Sequence, residues 1–405
     1  MPTLFADPLH DQFGTWPLGY IPYGGADFGE VQAVATAIGT GDDTAYHAAW
    51  TQAATRLHDQ AETALQSGHH ATARTLFLRA SACFGASYHL LYGAPTNQHL
   101  VQAFRHQIAA FTQAMALSPH PAQQLAIPFP GHDLPAWFIP AEGHETQTRP
   151  LIIFTNGYDG TVTDMYFASA VAAARRGYHS LIFDGPGQGA MLYEHAIPLR
   201  PDWETVIAAV VDTALAHPLV DPARIALSGW SLGGHLAPRA ASGEHRIAAL
   251  IADPGTWSIA DGFRAAFRHM FNLPADAVRD LGALDPAILA QADSAIRANR
   301  DLNWKVVQRG FWVHGVASLR DYLASAELFT MNGRAEHIRC PTLITQAEHD
   351  PLAAGAAAFH DALRCPKTLL RFTAAEGAGM HCEMFNRSLL NARALDWLDE
   401  QFESA

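Results

Sequence analysis

Residues 224–241 read "RIALSGWSLGGHLAPRAA", and the fold turns on what this stretch is. An apolar run ending at Leu227 leads into Gly229, Ser231 and Gly233 in a G-x-S-x-G pattern, and a helix-forming segment follows. Strand, sharp turn and helix in that order hold the central serine in a strained conformation with its hydroxyl above a sheet, and only small neighbours fit so tight a turn. A glycine-rich turn without chemistry carries the same letters, so the surroundings decide.

From about residue 124 onward, short apolar runs alternate with helical stretches. "LAIPF" and "LPAWFIP" suggest an opening pair of strands. "PLIIFTNG", "SLIFDGPGQG", "RIALSGWS", "IAALIADPG", "PTLITQAEHD" and "KTLLRFTAAEG" follow, and the later runs are continuously apolar, as expected of parallel strands buried on both faces. Met165 to Arg176 and Trp203 to Ala216 are candidate crossover helices. The expectation is an α/β architecture, a doubly wound, mostly parallel eight-stranded sheet.

Upstream, residues 1–123 read as a helical N-terminal module after an irregular opening rich in Gly, Pro and aromatics. One helix starts with Asp43 as N-cap and ends at Gly68, a second ends at Gly93, and a third follows Pro95. The α/β core is expected over 124–257 and 336–405. Residues 258–335 between them are too long for a crossover and carry Phe263, Phe267, Met270 and Phe271 at i, i+4, i+7 and i+8. That segment is expected to be a helical lid above the C-terminal edge of the sheet, where open α/β sheets bind ligands.

Composition narrows the partners. A formal charge of −13 leaves no basic footprint for nucleic acid or anionic membranes, and 49% apolar residues describe a large interior. No apolar stretch approaches the ~20 residues that span a bilayer, and the N-terminus lacks the pattern of a signal peptide. Cys83, Cys340, Cys365 and Cys382 are scattered without a C-x-x-C pair, which fits reduced thiols in a cytoplasm and gives no metal site. A small-molecule substrate is the expected partner, with no cofactor.

A serine hydroxyl is a weak nucleophile near neutral pH and needs a base, which needs an orienting acid. Asp350 lies just past one strand and His381 in the loop after the next, so Ser231, Asp350 and His381 arrive in the order an elbow of this kind requires. Glu348 and Asp253 compete with Asp350 for the role of acid. The chain has 22 histidines, but His381 follows Gly377 and Gly379 in the loop after the last strand. The oxyanion of acyl transfer needs two preorganised donors. The backbone N–H of Leu232 should supply one and that of Tyr158, in the loop after "LIIFTNG", the other. Asp159 and Trp230 are candidate substrate contacts, as is Phe267 in the lid. "FDGPGQG" lacks the lysine and spacing of a P-loop and reads as a turn near the sheet edge.

These motifs resemble the α/β-hydrolase superfamily from about residue 124 to the end. More narrowly, "NGYDGT", "DGPGQG", "GWSLGG" with "APRAA", "EHD" and "GMHCE", with a helical module before and a long helical insert within, are similar to one branch of it. That branch holds dihydroxy-pseudooxynicotine hydrolase, fungal polyketide-shortening hydrolases and FrsA-like, dipeptidyl aminopeptidase-like proteins. The resemblance implies a Ser231, Asp350, His381 triad, oxyanion donors at Tyr158 and Leu232, a pocket enclosed between sheet, insert and N-terminal module, and a homodimer. Two members of the branch cleave a carbon–carbon bond beside a ketone. The sequence departs from the branch at Trp230, inside the elbow, and at Pro238, expected to kink the next helix. The expected activity is a serine hydrolase cleaving an ester or related acyl bond of a small, largely apolar carbonyl substrate. C–C hydrolysis of a β-diketone is the alternative, and amide cleavage or a non-catalytic binding role ranks behind.

Overall fold

The computed structural model describes residues 4–120 and 122–403. Eight strands form one sheet: β1 (Gln123–Ile127), β2 (Leu134–Ile139), β3 (Arg149–Thr155), β4 (His179–Phe183), β5 (Val220–Trp230), β6 (Ala249–Asp253), β7 (Thr342–Ala347) and β8 (Lys367–Phe372). Their spatial order is β1-β2-β4-β3-β5-β6-β7-β8. β2 pairs antiparallel with both β1 and β4, and every other pairing is parallel. The expected doubly wound sheet is therefore present. Every residue of β4 and β6 is buried, as a strand covered on both faces requires. β8 departs from that expectation: as the edge strand it leaves most of "KTLLRF" at least partly exposed.

Because β3, β5, β6, β7 and β8 run in one direction, their C-terminal ends share one edge. Thr155 stands opposite Gly229, and Trp230 opposite Asp253, so the loops that follow these strands converge. The crossover at Trp203–Ala216 has the expected bounds. The other runs from Val162 to Arg175 through a π-helical turn at Tyr166–Ala170. Helix Gly233–Ala241 after the elbow continues through Pro238.

The opening of the chain is helical, not irregular: Pro8–Gly14, Trp16–Tyr20 and Phe28–Ile38 are helices. Local chemistry accounts for this. The Asp7 carboxylate accepts from the N–H groups of Leu9 and His10, and Pro8 stands in the first turn. Asp27 and Glu30 form a capping box. Phe5, Phe13 and Tyr20 are buried, and a Cβ at Gly19 would lie 2.4 Å from the Met384 carbonyl oxygen, so this segment docks on the loop that follows His381. In the helix Asp43–Gln66 the cap is Asp42, which accepts from Ala45, and not Asp43.

Between β6 and β7 lies the helical insert, with helices at Ala260–Phe271, Pro286–Ala298 and Leu319–Ala326 and a π-helical stretch at Asn303–Phe311. It carries its own apolar cluster, which includes Phe267, Leu281, Leu289, Phe311 and Leu323.

Candidate active site

β5 ends at Trp230 and the chain turns at once. Ser231 has φ 61°, the left-handed region that costs a non-glycine residue about 1–2 kcal/mol. The backbone fixes this conformation: the Ser231 N–H donates to the Asp253 carbonyl at 2.8 Å, and its own carbonyl accepts from Gly234 at 2.9 Å. The flanking glycines are obligatory, since a Cβ at Gly229 would lie 1.9 Å from the Gly233 carbonyl oxygen and one at Gly233 would lie 2.4 Å from that of Thr155.

From this turn the Ser231 hydroxyl reaches His381. Ser231 Oγ is 2.9 Å from His381 Nε2, and His381 Nδ1 donates to Asp350 Oδ2 at 2.8 Å. The Asp350 carboxylate is buried and also accepts from Leu352 N–H at 2.9 Å, while the imidazole is 37% exposed. The two loops are tied together by His349 N–H donating to the Gly379 carbonyl at 2.7 Å. Burial alone would lower the His381 pKa. The charge and hydrogen bond of Asp350 outweigh it, helped by Asp253 and Asp159, and the net effect is a rise above the usual 6.5.

The two rival acids are engaged elsewhere. Glu348 accepts from Ala374 N–H at 2.8 Å on the exposed side of its loop. Asp253 is buried and pairs with the buried Arg387 at 2.7 Å, while its other oxygen accepts from Thr345 at 2.9 Å. Its backbone carbonyl rather than its side chain serves the elbow. Glu383 lies buried beside this pair. Its carboxyl is pushed well above the ordinary range by burial and then by the Asp253 charge. Cys382 and Glu383 both have left-handed backbone, at φ 53° and 49°. The thiol of Cys382 packs 3.4 Å from His381 Nε2.

Beside the elbow runs the loop after β3. A Cβ at Gly157 would stand 2.6 Å from the Leu232 nitrogen and 3.1 Å from Ser231 Oγ, so a glycine is needed for the two backbones to approach this closely. Tyr158 follows. Its hydroxyl is hydrogen-bonded to His314 Nε2 at 2.5 Å, and His314 Nδ1 is hydrogen-bonded to the Ser325 hydroxyl at 2.7 Å. Burial and the nearby Arg309 charge lower the His314 pKa to about 4, and burial raises that of the Tyr158 phenol. Both groups are therefore neutral near pH 7. Asp159 is buried and paired with Arg309 of the insert at 2.8 Å.

The remaining candidates lie in packed surroundings. Trp230 is 5% exposed, its ring 5.6 Å from that of Trp16 and beneath the Arg387 guanidinium. Phe267 is buried inside the insert's own cluster, stacked on Phe271 at 5.7 Å. The contacts absent from the sequence reading are those made across long separations: Arg309 and His314 on the Tyr158 loop, Arg387 on Asp253, and Gln188. The last of these sits in "DGPGQG", whose letters signal a turn and no more.

A strand-to-helix elbow with a serine at positive φ, hydrogen-bonded through histidine to a buried aspartate at the C-terminal edge of a mostly parallel sheet, defines a class. The profile of the alpha/beta hydrolase family matches residues 152–392, and the chain belongs to that family. Among its relatives, hydrolase LUC6 of Fusarium sp is 30% identical over 95% of this chain and 94% of its own length. Hydrolase ORFZ of Pyricularia oryzae is 31% identical with the same coverage. The 20-hydroxy-prefusarin hydrolase FUS2 of Gibberella moniliformis is 29% identical, again with the same coverage. The solved structure of 2,6-dihydroxy-pseudo-oxynicotine hydrolase shares the fold at a TM-score of 0.73, with 20% identity and 94% coverage of both chains. The branch that the motifs resemble is thus borne out, and the protein is an enzyme. No helix among the described residues is long and apolar enough to cross a membrane.

Proposed function

We propose that this protein is a serine hydrolase that cleaves an ester or related acyl bond of a small, largely apolar carbonyl substrate. The observation that carries the reading is the hydrogen-bonded chain from Ser231 through His381 to the buried Asp350. His381 Nε2 takes the hydroxyl proton as Ser231 Oγ attacks the carbonyl carbon. Asp350 holds the imidazole in the Nδ1–H tautomer and stabilises the imidazolium. The oxyanion is met by the N–H groups of Leu232 and Tyr158. The imidazolium then protonates the leaving group, and water, deprotonated by His381, releases the acyl group from Ser231.

C–C hydrolysis is the second reading. There the leaving group is a carbanion and needs an acid. The His381 imidazolium, formed as Ser231 gives up its proton and stabilised by Asp350, is the acid that supplies it.

A fluorophosphonate probe tests the nucleophile. Covalent labelling of Ser231 in the folded protein, lost in Ser231→Ala, is the expected outcome, and an unlabelled Ser231 in native protein refutes it. A panel of aryl esters, amides and β-diketones read by mass spectrometry separates the two bond classes. Turnover of the diketones alone would overturn the acyl-bond reading.

A further inference from the structure

The two proposed oxyanion donors are held by different means. Leu232 N–H is placed by the elbow itself. Tyr158 N–H belongs to a loop peptide that nothing in the local sequence obliges to face the serine, since Gly157 before it is free to adopt many conformations. Across this loop lies Gln188, which is fully buried. Its Nε2 donates to the carbonyls of Asn156 at 2.7 Å and Gly157 at 3.3 Å, and its Oε1 accepts from Gly185 N–H at 3.0 Å. Only this orientation of the amide is consistent, because the reverse would set an oxygen against two carbonyl oxygens and an NH₂ against an N–H.

The Gly157–Tyr158 peptide is trans, the cis bonds of the described chain being Ala94–Pro95 and Asp253–Pro254. In a planar trans peptide the C=O and N–H vectors are antiparallel. A Gly157 carbonyl drawn toward Gln188 therefore turns the Tyr158 N–H the opposite way, out of the buttress. The same residue 157 lies against Leu232 N and Ser231 Oγ. Gln188 is itself anchored: its N–H donates to the Gly185 carbonyl at 3.0 Å, and Asp184 at the start of the same loop accepts from Val162 N–H at 2.9 Å, just beyond the oxyanion loop.

From this geometry we infer that Gln188 is a positioning residue that sets the direction of the Tyr158 N–H and so builds the second half of the oxyanion hole. The inference rests on the serine-hydrolase reading. Gln188 touches no reacting atom; it acts through the carbonyls of Asn156 and Gly157, and the "DGPGQG" turn becomes part of the catalytic apparatus by that route.

The test uses Gln188→Met, which keeps the volume and removes both donors, and Gln188→Glu. Whole protein is assayed on an aryl ester, with an arylboronic acid as the tetrahedral mimic and with ester binding measured in the Ser231→Ala background. Gln188→Met should lower kcat by about 10- to 100-fold, short of deleting a donor outright, with boronate affinity falling in parallel. KM and ester binding to the Ser231→Ala protein should stay within about twofold, because the ground-state carbonyl does not draw on the hole. A merely structural role would reduce the fraction of active protein, lowering kcat at unchanged KM but leaving boronate affinity unmoved, so the parallel loss of boronate affinity separates the two. The acid introduced by Gln188→Glu donates when neutral and repels the two carbonyls when ionised. Its kcat should therefore fall with rising pH in a range where the wild type is flat. Unchanged kcat and boronate affinity in Gln188→Met, or superimposable pH profiles for Gln188→Glu and wild type, would overturn the inference. If Gln188→Met does not fold, the Gln188→Glu profile decides. Failure of fluorophosphonate to label wild-type Ser231 would instead sink the underlying reading, so the two failures are distinguishable.

Discussion

Replacing Ser231 by glycine should leave a more stable protein than replacing it by alanine, although both variants are inactive. Each removes the hydroxyl and its 2.9 Å bond to His381, so their difference isolates the backbone. The turn persists in both, because the bonds that fix it, Ser231 N–H to Asp253 and Gly234 N–H to Ser231, belong to the main chain. At φ 61° alanine pays the left-handed penalty of about 1–2 kcal/mol and glycine does not. Glycine gives back about 0.5–1 kcal/mol through its greater freedom in the unfolded chain. The net is about 0–1.5 kcal/mol, centred near 0.75, in favour of Ser231→Gly. Guanidinium unfolding of the two variants side by side, with equal slopes required, reads it as a difference in midpoint. An alanine variant more stable than the glycine variant would mean that the serine is not held in strain.

The other predictions concern the chemistry. His381 must be neutral to act as base, and its pKa is raised above the usual value of about 6.5; kcat/KM should therefore be lost as pH falls through a value above 6.5, and an acid limb below 6 in the pH profile would contradict the Asp350 contact. Asp350→Asn should lower kcat by about 10⁴ with the fold intact. Asp253→Asn should instead destabilise the protein by about 3–5 kcal/mol, since it strands the buried Arg387; circular-dichroism melts beside ester assays separate the two, and a stable, inactive Asp253→Asn would reverse the assignment. Gly157→Ala sets a methyl 2.6 Å from the Leu232 nitrogen, and stopped-flow or steady-state assays should show kcat/KM down by about 10²–10³. Undiminished turnover would place the oxyanion elsewhere.

How far the sequence could be read follows from how local each determinant is. The sheet and elbow were legible because continuous apolar runs and a glycine pair two residues either side of Ser231 write their structure into adjacent letters. The order Ser231, Asp350, His381 was legible because each residue follows a strand that ends on one edge. The opening helices were missed although their caps, Asp7 with Pro8 and Asp27 with Glu30, stood in the sequence. There the density of Gly, Pro and aromatics suggested irregular chain, and tertiary burial of Phe13 and Tyr20 overrode it. Position at the sheet edge alone does not separate Asp350 from Asp253, since Asp253 ends β6 and Asp350 follows closely on β7. What separates them is Arg387, 134 residues from Asp253 along the chain.

The same distinction divides the proposed oxyanion site. Leu232 N–H is dictated by five consecutive residues, and any chain with that elbow presents it. The loop carrying Tyr158 is gripped from three places far apart in sequence: Gln188 on its carbonyls, His314 on the phenol and Arg309 on Asp159. Two of those grips come from the insert, whose apolar cluster is its own, and each is a buried polar contact that costs more to break than it is worth to form. A change in the insert can therefore disturb the Tyr158 side of the site and leave the Leu232 side untouched. The geometry of the Ser231–His381 bond rests instead on the elbow and the Asp350 loop.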